Sequence, residues 1–241
     1  MFQIRTSVNP SLDAAKRNLE ILETQLSHGI NVTWLLAGGS AIKIYKEMNN
    51  LLKLDTDFSK LSISLGDERY SKDRKHEDAT WPEFGKLKIF SELKNRGAII
   101  FEILSGKSLE SDAERFNDFL RERLKNSDYI FCNLGIGIDF HTAGIIPVKD
   151  HEIFEETYPS NRLAVGHTRG GVHPKRITIT PGLLQKSNKI TVYMTGVEKK
   201  PVLEELNTYK ELEKIQNSIP QHPALIGSLM SAEVFTDQKI F

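Results

Sequence analysis

The apolar positions of this chain fall into two rhythms. Leu12, Ala15, Leu19, Leu22 and Leu26 recur at helical spacing. They follow Asn9-Pro10, where asparagine suits a cap and proline the first helical turn, and the segment closes at His28-Gly29. Residues 31–37 differ. Val32, Trp34, Leu35 and Leu36 are nearly continuous, as expected of a strand in a sheet covered on both faces. Helical spacing returns over 41–48. Residues 61–65, 98–103, 129–132 and 189–194 read as further strands, 174–180 alternates like one, and a last strand falls near 233–235. Helices are predicted over 108–125, with Phe116, Phe119, Leu120 and Leu124 as core candidates, at Pro181, and, after the turn that begins at Thr195-Gly196, with Lys199 in the first turn, through about Leu212. Residues 71–90 are polar and irregular; the mixed-sign run 72–78 reads as solvated, and Trp81-Pro82 as an anchor or a lid. Strands and helices alternate throughout. The fold class is therefore α/β: a three-layer α/β/α sandwich with a mainly parallel, Rossmann-like sheet, expected as a single domain over residues 1–241.

Composition narrows the function classes. Lys+Arg and Asp+Glu balance at 32 each, so no global field favours nucleic acid or an anionic membrane, although a local basic pocket is allowed. No stretch approaches the roughly 18 apolar residues of a membrane span, and the N-terminal residues lack the apolar run of a signal peptide. A single cysteine, Cys132, lies in a predicted core strand and cannot form an internal disulfide. A soluble cytoplasmic protein, monomer or homodimer, is the expectation. His151, His167 and His173 show no metal-ligand spacing, so no metal and no cofactor is expected.

Chemistry concentrates just past the predicted strand ends, where open α/β sheets bind ligands. The strand at 129–132 runs into Gly135-Ile136-Gly137-Ile138-Asp139-Phe140-His141, which is either a tight loop with an incidental histidine or an acid and a base set beside a ligand. Gly38-Gly39-Ser40 joins a strand to a helix; such a turn can be plain, or can offer free N–H groups to an anion. Gly66-Asp67-Glu68-Arg69 places charges on the same rim, as a surface ion pair or aimed into a cleft. Lys199 opens a helix, where a cation opposes the helix dipole unless an anion sits there.

Four segments together resemble one family. Leu36-Ala37-Gly38-Gly39-Ser40 is similar to its Ser-Gly-Gly-Ser/Thr turn, Gly66-Asp67-Glu68-Arg69 to its Asp-Glu-Arg signature, Asn133 to Pro147 to its Gly-x-Gly-x-Asp-Gly-His-Thr-Ala-Ser loop, and Arg176 to Lys199 to its Arg-Ile-Thr-Leu-Thr and Thr-Gly-x-x-Lys pair. The family is 6-phosphogluconolactonase, in the group that also holds glucosamine-6-phosphate deaminase. His141-Thr-Ala-Gly-Ile-Ile-Pro lacks the glutamate of the deaminase loop, and Arg69 stands where deaminases carry tyrosine. The resemblance implies a sugar phosphate as the small-molecule partner and hydrolysis of 6-phosphogluconolactone. It makes His141 the base that activates water, with Asp139 and Asp67 as its catalytic companions. Gly38, Gly39, Ser40, Arg69, Arg176 and Lys199 become the substrate and phosphate contacts. The alternatives are a deaminase or isomerase, and a non-catalytic sugar-phosphate sensor. The sequence departs from the pattern at Phe140, where the family has glycine, at Gly144, where it has serine, at Ala37 and Ile42, and in lacking a Ser-Asn pair near Asp78-Ala79-Thr80-Trp81. Phe140 is expected to alter the pocket, because glycine there would allow a positive φ or a close substrate approach.

Overall fold

A computed structural model describes residues 1–53, 56–74, 79–126, 129–170 and 173–240. In chain order, β1 (Gln3–Thr6) leads to α1 (Pro10–Ser27), β2 (Val32–Leu36), α2 (Ile42–Leu51), β3 (Leu61–Leu65) and β4 (Asp67–Arg69). Then come α3 (Trp81–Phe84), α4 (Lys88–Asn95), β5 (Ile99–Ile100), α5 (Leu109–Asn126) and β6 (Tyr129–Gly135). The rest of the chain supplies α6 (His151–Thr157), β7 (Ala164–Thr168), β8 (Lys175–Ile179), α7 (Pro181–Leu184), β9 (Lys189–Tyr193), α8 (Lys200–Thr208), α9 (Leu212–Ser218), α10 (Leu225–Leu229) and β10 (Glu233–Thr236).

Seven strands form the main sheet in the order β1-β10-β9-β6-β2-β3-β5, and every pairing in it is parallel. Helices flank it, so the architecture is the α/β sandwich read from the sequence. All five residues of β2 and of β3 are buried, which explains the near-continuous apolarity of the first. Asn9 caps α1 through its side chain, accepting from the Leu12 N–H. An aromatic group consolidates the core beneath the ends of β2 and β6. Trp34 stacks on Phe131 at 6.0 Å and meets Tyr45 edge-on at 5.7 Å, and Tyr45 packs on Phe84 at 5.1 Å. Each such buried ring contributes on the order of 2 kcal/mol. Cys132, the next residue along β6, is buried as well, and burial pushes its thiol up to about 12.

The structure corrects the sequence reading in several places. The strand ending at Ile179 does not join the parallel sheet. It pairs antiparallel with β4 and β7 in a separate three-stranded sheet, and Asp67-Glu68-Arg69 is itself a strand rather than a loop. β1 and β7 went unread. β5 spans two residues rather than the six expected, and the helix expected to reach residue 212 breaks at Tyr209, whose backbone is extended. Part of the polar stretch after residue 80 is helical, in α3 and the start of α4. In the mixed-sign run, Arg74 pairs with Glu102, while Lys75, His76, Glu77 and Asp78 lie outside the described residues.

The outer edge of the main sheet is closed by charge. Glu233, at the start of β10, is 1% exposed and takes Arg5 of β1 at 2.7 Å, Arg17 of α1 at 2.9 Å and Lys189 of β9. No described helix is long and apolar enough to cross a membrane.

Candidate active site

Four neighbouring strands of the main sheet, β9-β6-β2-β3, end on one rim. β2 and β6 are adjacent, but the chain leaves β2 toward β3 while β6 pairs on its other side with β9. This reversal is where an open α/β sheet leaves a crevice. A cavity of about 290 Å³ opens there. That is at the small end of the range for small-molecule sites, roughly 300–1,000 Å³. Gly38, Gly39 and Ser40 line it from the end of β2, Asp67 and Arg69 from β4, Gly137 and His141 from the loop after β6, Arg176 from β8, and Lys199 from the turn before α8. Asp139 does not line it; it approaches His141 from behind.

The second sheet delivers the charged wall. Side chains alternate along a strand, so Asp67 and Arg69 share one face of β4 and Glu68 takes the other. Glu68 turns inward, is 1% exposed, and accepts the backbone N–H groups of Arg69, Thr80 and Trp81 at 2.8, 2.9 and 2.8 Å. Burial raises its pKa, with the three N–H donors acting in the opposite sense. Arg69 lies opposite Arg176 in the ladder. Like charges placed so are unfavourable, and Asp67 offsets them by holding Arg176 at 3.2 Å. Lys199 adds a third cation. Its ammonium donates to the Ile136 carbonyl at 2.7 Å, and burial lowers its pKa while the carboxylates of Glu198 and Asp139 pull the other way. Among the described residues, three cations and one carboxylate therefore face the cavity, which suits an anionic ligand.

The histidine loop is tightly specified. His141 Nδ1 meets Asp139 Oδ1 at 2.5 Å. That hydrogen bond, together with the imidazole's charge and against partial burial, holds the Asp139 carboxyl down at about 2. An ionised Asp139 accepts from Nδ1–H, which leaves Nε2 as the basic nitrogen of the ring. The pair folds directly over Gly137, where a Cβ would stand 2.2 Å from Nδ1 and 2.3 Å from the carboxylate oxygen. Only glycine admits this approach.

Phe140 corrects an expectation. Its φ is +69°, so the conformation glycine would favour is retained. Its ring leaves the cavity, however, and packs edge-on against His222 at 4.3 Å, while its carbonyl accepts from the Ala224 N–H at 3.1 Å. The left-handed backbone costs about 1–2 kcal/mol; the ring packs against the C-terminal segment and does not line the cavity. Gly144 also has a local reason. Its N–H donates to Thr178 Oγ1 at 2.9 Å, and a Cβ there would lie 2.8 Å from the Thr178 Cβ. Thr80, Asn133 and Ala143 line the cavity as well and were not singled out from the sequence. For Thr80 the one available signal was its position near the missing Ser-Asn pair.

A model of the family described as Glucosamine-6-phosphate isomerases/6-phosphogluconolactonase matches residues 8–225. The 6-phosphogluconolactonase of Haemophilus influenzae is 26% identical over 192 residues, which is 78% of each chain. The glucosamine-6-phosphate deaminase of Streptococcus thermophilus is 24% identical over 221 residues, 90% of this chain and 92% of that one. Among solved structures, the 6-phosphogluconolactonase from Plasmodium vivax matches with a TM-score of 0.77 at 19% identity, covering 98% of this chain and 89% of its own.

Proposed function

The chain belongs to the glucosamine-6-phosphate isomerase/6-phosphogluconolactonase family, and from that premise we propose that it hydrolyses 6-phosphogluconolactone to 6-phosphogluconate. The observation that carries the proposal is a histidine with one nitrogen engaged by a carboxylate, lining the same cavity as a glycine turn and three cations. In this reading His141 Nε2 takes a proton from water as its oxygen bonds to the lactone carbonyl carbon. Asp139 fixes the tautomer and stabilises the imidazolium that forms. The tetrahedral oxyanion is offset by the Arg69 guanidinium. Collapse breaks the bond to the ring oxygen, and the imidazolium returns the proton to that oxygen. Gly38, Gly39 and Ser40 cradle the phosphate, Arg176 and Lys199 balance its charge, and Asp67 orients Arg176 and the sugar hydroxyls. Anchoring the phosphate converts attack at the far end of the substrate into an oriented encounter. The whole of residues 1–241 acts as one sugar-phosphate-binding unit, and no step uses a metal.

The test is hydrolysis of freshly generated 6-phosphogluconolactone, with the spontaneous rate subtracted. The wild type should accelerate it, and His141→Ala should lose most of that acceleration while melting at the same temperature. Near-full turnover by the variant would sink the assignment. Ammonia release from glucosamine 6-phosphate by the wild type would favour the deaminase branch instead.

A further inference from the structure

Beneath the glycine turn lies a closed group of polar side chains that hydrolysis does not itself use. Asn18 of α1 and Asn133 of β6 exchange amide hydrogen bonds at 3.1 and 3.3 Å. Thr191 of β9 accepts from Asn133 at 2.5 Å and donates to Asn18 at 3.2 Å. The Trp34 indole N–H donates to Asn133 Oδ1 at 2.8 Å. Tyr45 of α2 reaches the same oxygen at 3.5 Å. None of the five is more than 3% exposed. Asn133 lines the cavity floor, but its amide is already engaged by these partners, so its contribution is to hold geometry rather than to contact a ligand.

The other end of this group touches the turn. The Tyr45 hydroxyl accepts the Ala37 N–H at 3.0 Å and stands 3.2 Å from the Ala37 carbonyl, to which it donates. Burial raises the phenol's pKa, so the hydroxyl keeps the proton it donates. The Ala37 carbonyl belongs to the same planar trans peptide as the Gly38 N–H, and the two point in opposite directions. A carbonyl held down toward Tyr45 therefore sends the Gly38 N–H away from the core, to the side of the cavity that Gly38 lines.

We propose that Tyr45 is a positioning residue for phosphate binding: by gripping the Ala37 peptide from within the core, it aims the Gly38 N–H into the anion site. The Asn18–Asn133–Thr191–Trp34 group is its footing. The reading of the cavity as a sugar-phosphate site is the basis on which this rests. It assigns the turn's anion affinity partly to a side chain that never meets the ligand. Preorganised N–H groups bind an anion without the cost of ordering them at the time.

Tyr45→Phe tests this, because the ring contacts with Trp34 and Phe84 remain while the hydroxyl's grip on Ala37 and its long approach to Asn133 Oδ1 are lost. With 6-phosphogluconate as probe, the variant should bind about tenfold more weakly. In turnover, KM should rise by a similar factor while kcat falls less than threefold. Equal affinity in a folded variant would overturn the inference and leave the proposed function standing. A second measurement needs no variant. In the wild type titrated with inorganic phosphate, the Gly38 amide proton should move downfield and saturate; a Gly38 amide that stays still while Ser40 responds overturns the inference equally. If neither probe binds the wild type, the sugar-phosphate reading fails, and the role of Tyr45 fails with it.

Discussion

Adding one methyl group at position 137 should disable the candidate base. In Gly137→Ala the new Cβ would stand 2.2 Å from His141 Nδ1, whereas ordinary contact begins at 3.4 Å, so the ring must retreat by about 1.2 Å. Gly137 does not hold a positive φ, and the three nearest atoms the new Cβ would meet all belong to the Asp139–His141 pair. Misplacing a reacting group by about 1 Å costs on the order of 10²-fold, which is about 2.7 kcal/mol of barrier at 1.36 kcal/mol per decade. Stability should hardly move. The His141 and Asp139 side chains are 35% and 55% exposed, and an ion pair so exposed contributes under about 1 kcal/mol. In a chain of this length that is no more than about 4 °C in Tm. The assay is pH-stat hydrolysis of fresh lactone beside a thermal melt. A drop in kcat/KM of about two decades with a nearly unchanged melt is expected. An alanine variant within threefold of wild type would show that the close approach at Gly137 is not what positions the base.

Two further outcomes follow from the same geometry. Gly144→Ser, which restores the family residue, should destabilise the protein by about 1–3 kcal/mol in denaturant titration, because its Cβ would lie 2.8 Å from the Thr178 Cβ and 3.3 Å from the Asp67 Cβ. Acid should act through two depressed carboxyls. The imidazole hydrogen bond holds Asp139 at about 2, and at Glu233 burial is outweighed by Lys189 and Arg17, again giving about 2. Both lie below their unfolded values, so their stabilisation is complete above about pH 4.5 and is lost as pH falls toward 2. Carboxyl carbon titration by NMR checks this, and in His141→Ala the Asp139 midpoint should return toward its ordinary 3.8.

The parts of the fold that were legible are those where local pattern and tertiary environment agree. Val32 to Leu36 reads as a buried strand because every residue of it is buried. β1 did not read, because Gln3-Ile4-Arg5-Thr6 is an edge strand with one half-buried position and three exposed ones, and so carries no apolar signature. β4 could not be read locally at all. Asp67-Glu68-Arg69 becomes a strand only by pairing with residues 176–178, more than a hundred positions later. The candidate site was legible where short motifs coincide with strand ends, as at Gly38-Gly39-Ser40 and at Asp139 and His141. Phe140 misled because a residue type announces its size but not its direction. The roles of Tyr45 and Asn133 were hidden for the opposite reason. Within their own segments they look like one more aromatic and one stray amide, and only the arrival of Asn18, Trp34 and Thr191 from elsewhere in the chain makes them a unit.

The outermost position of β1 sets an order of events. Arg5 is held by Glu233 across 228 residues, and among the described residues β1 has no neighbour in the sheet except β10. β10 in turn is laid against β9. The segment around residue 5 thus has no template until the segment around residue 235 has docked, and closing so long a loop is paid for late. The strand near the beginning of the chain is expected to be the last to be stitched in, and the first to come away when the sheet is opened from that edge.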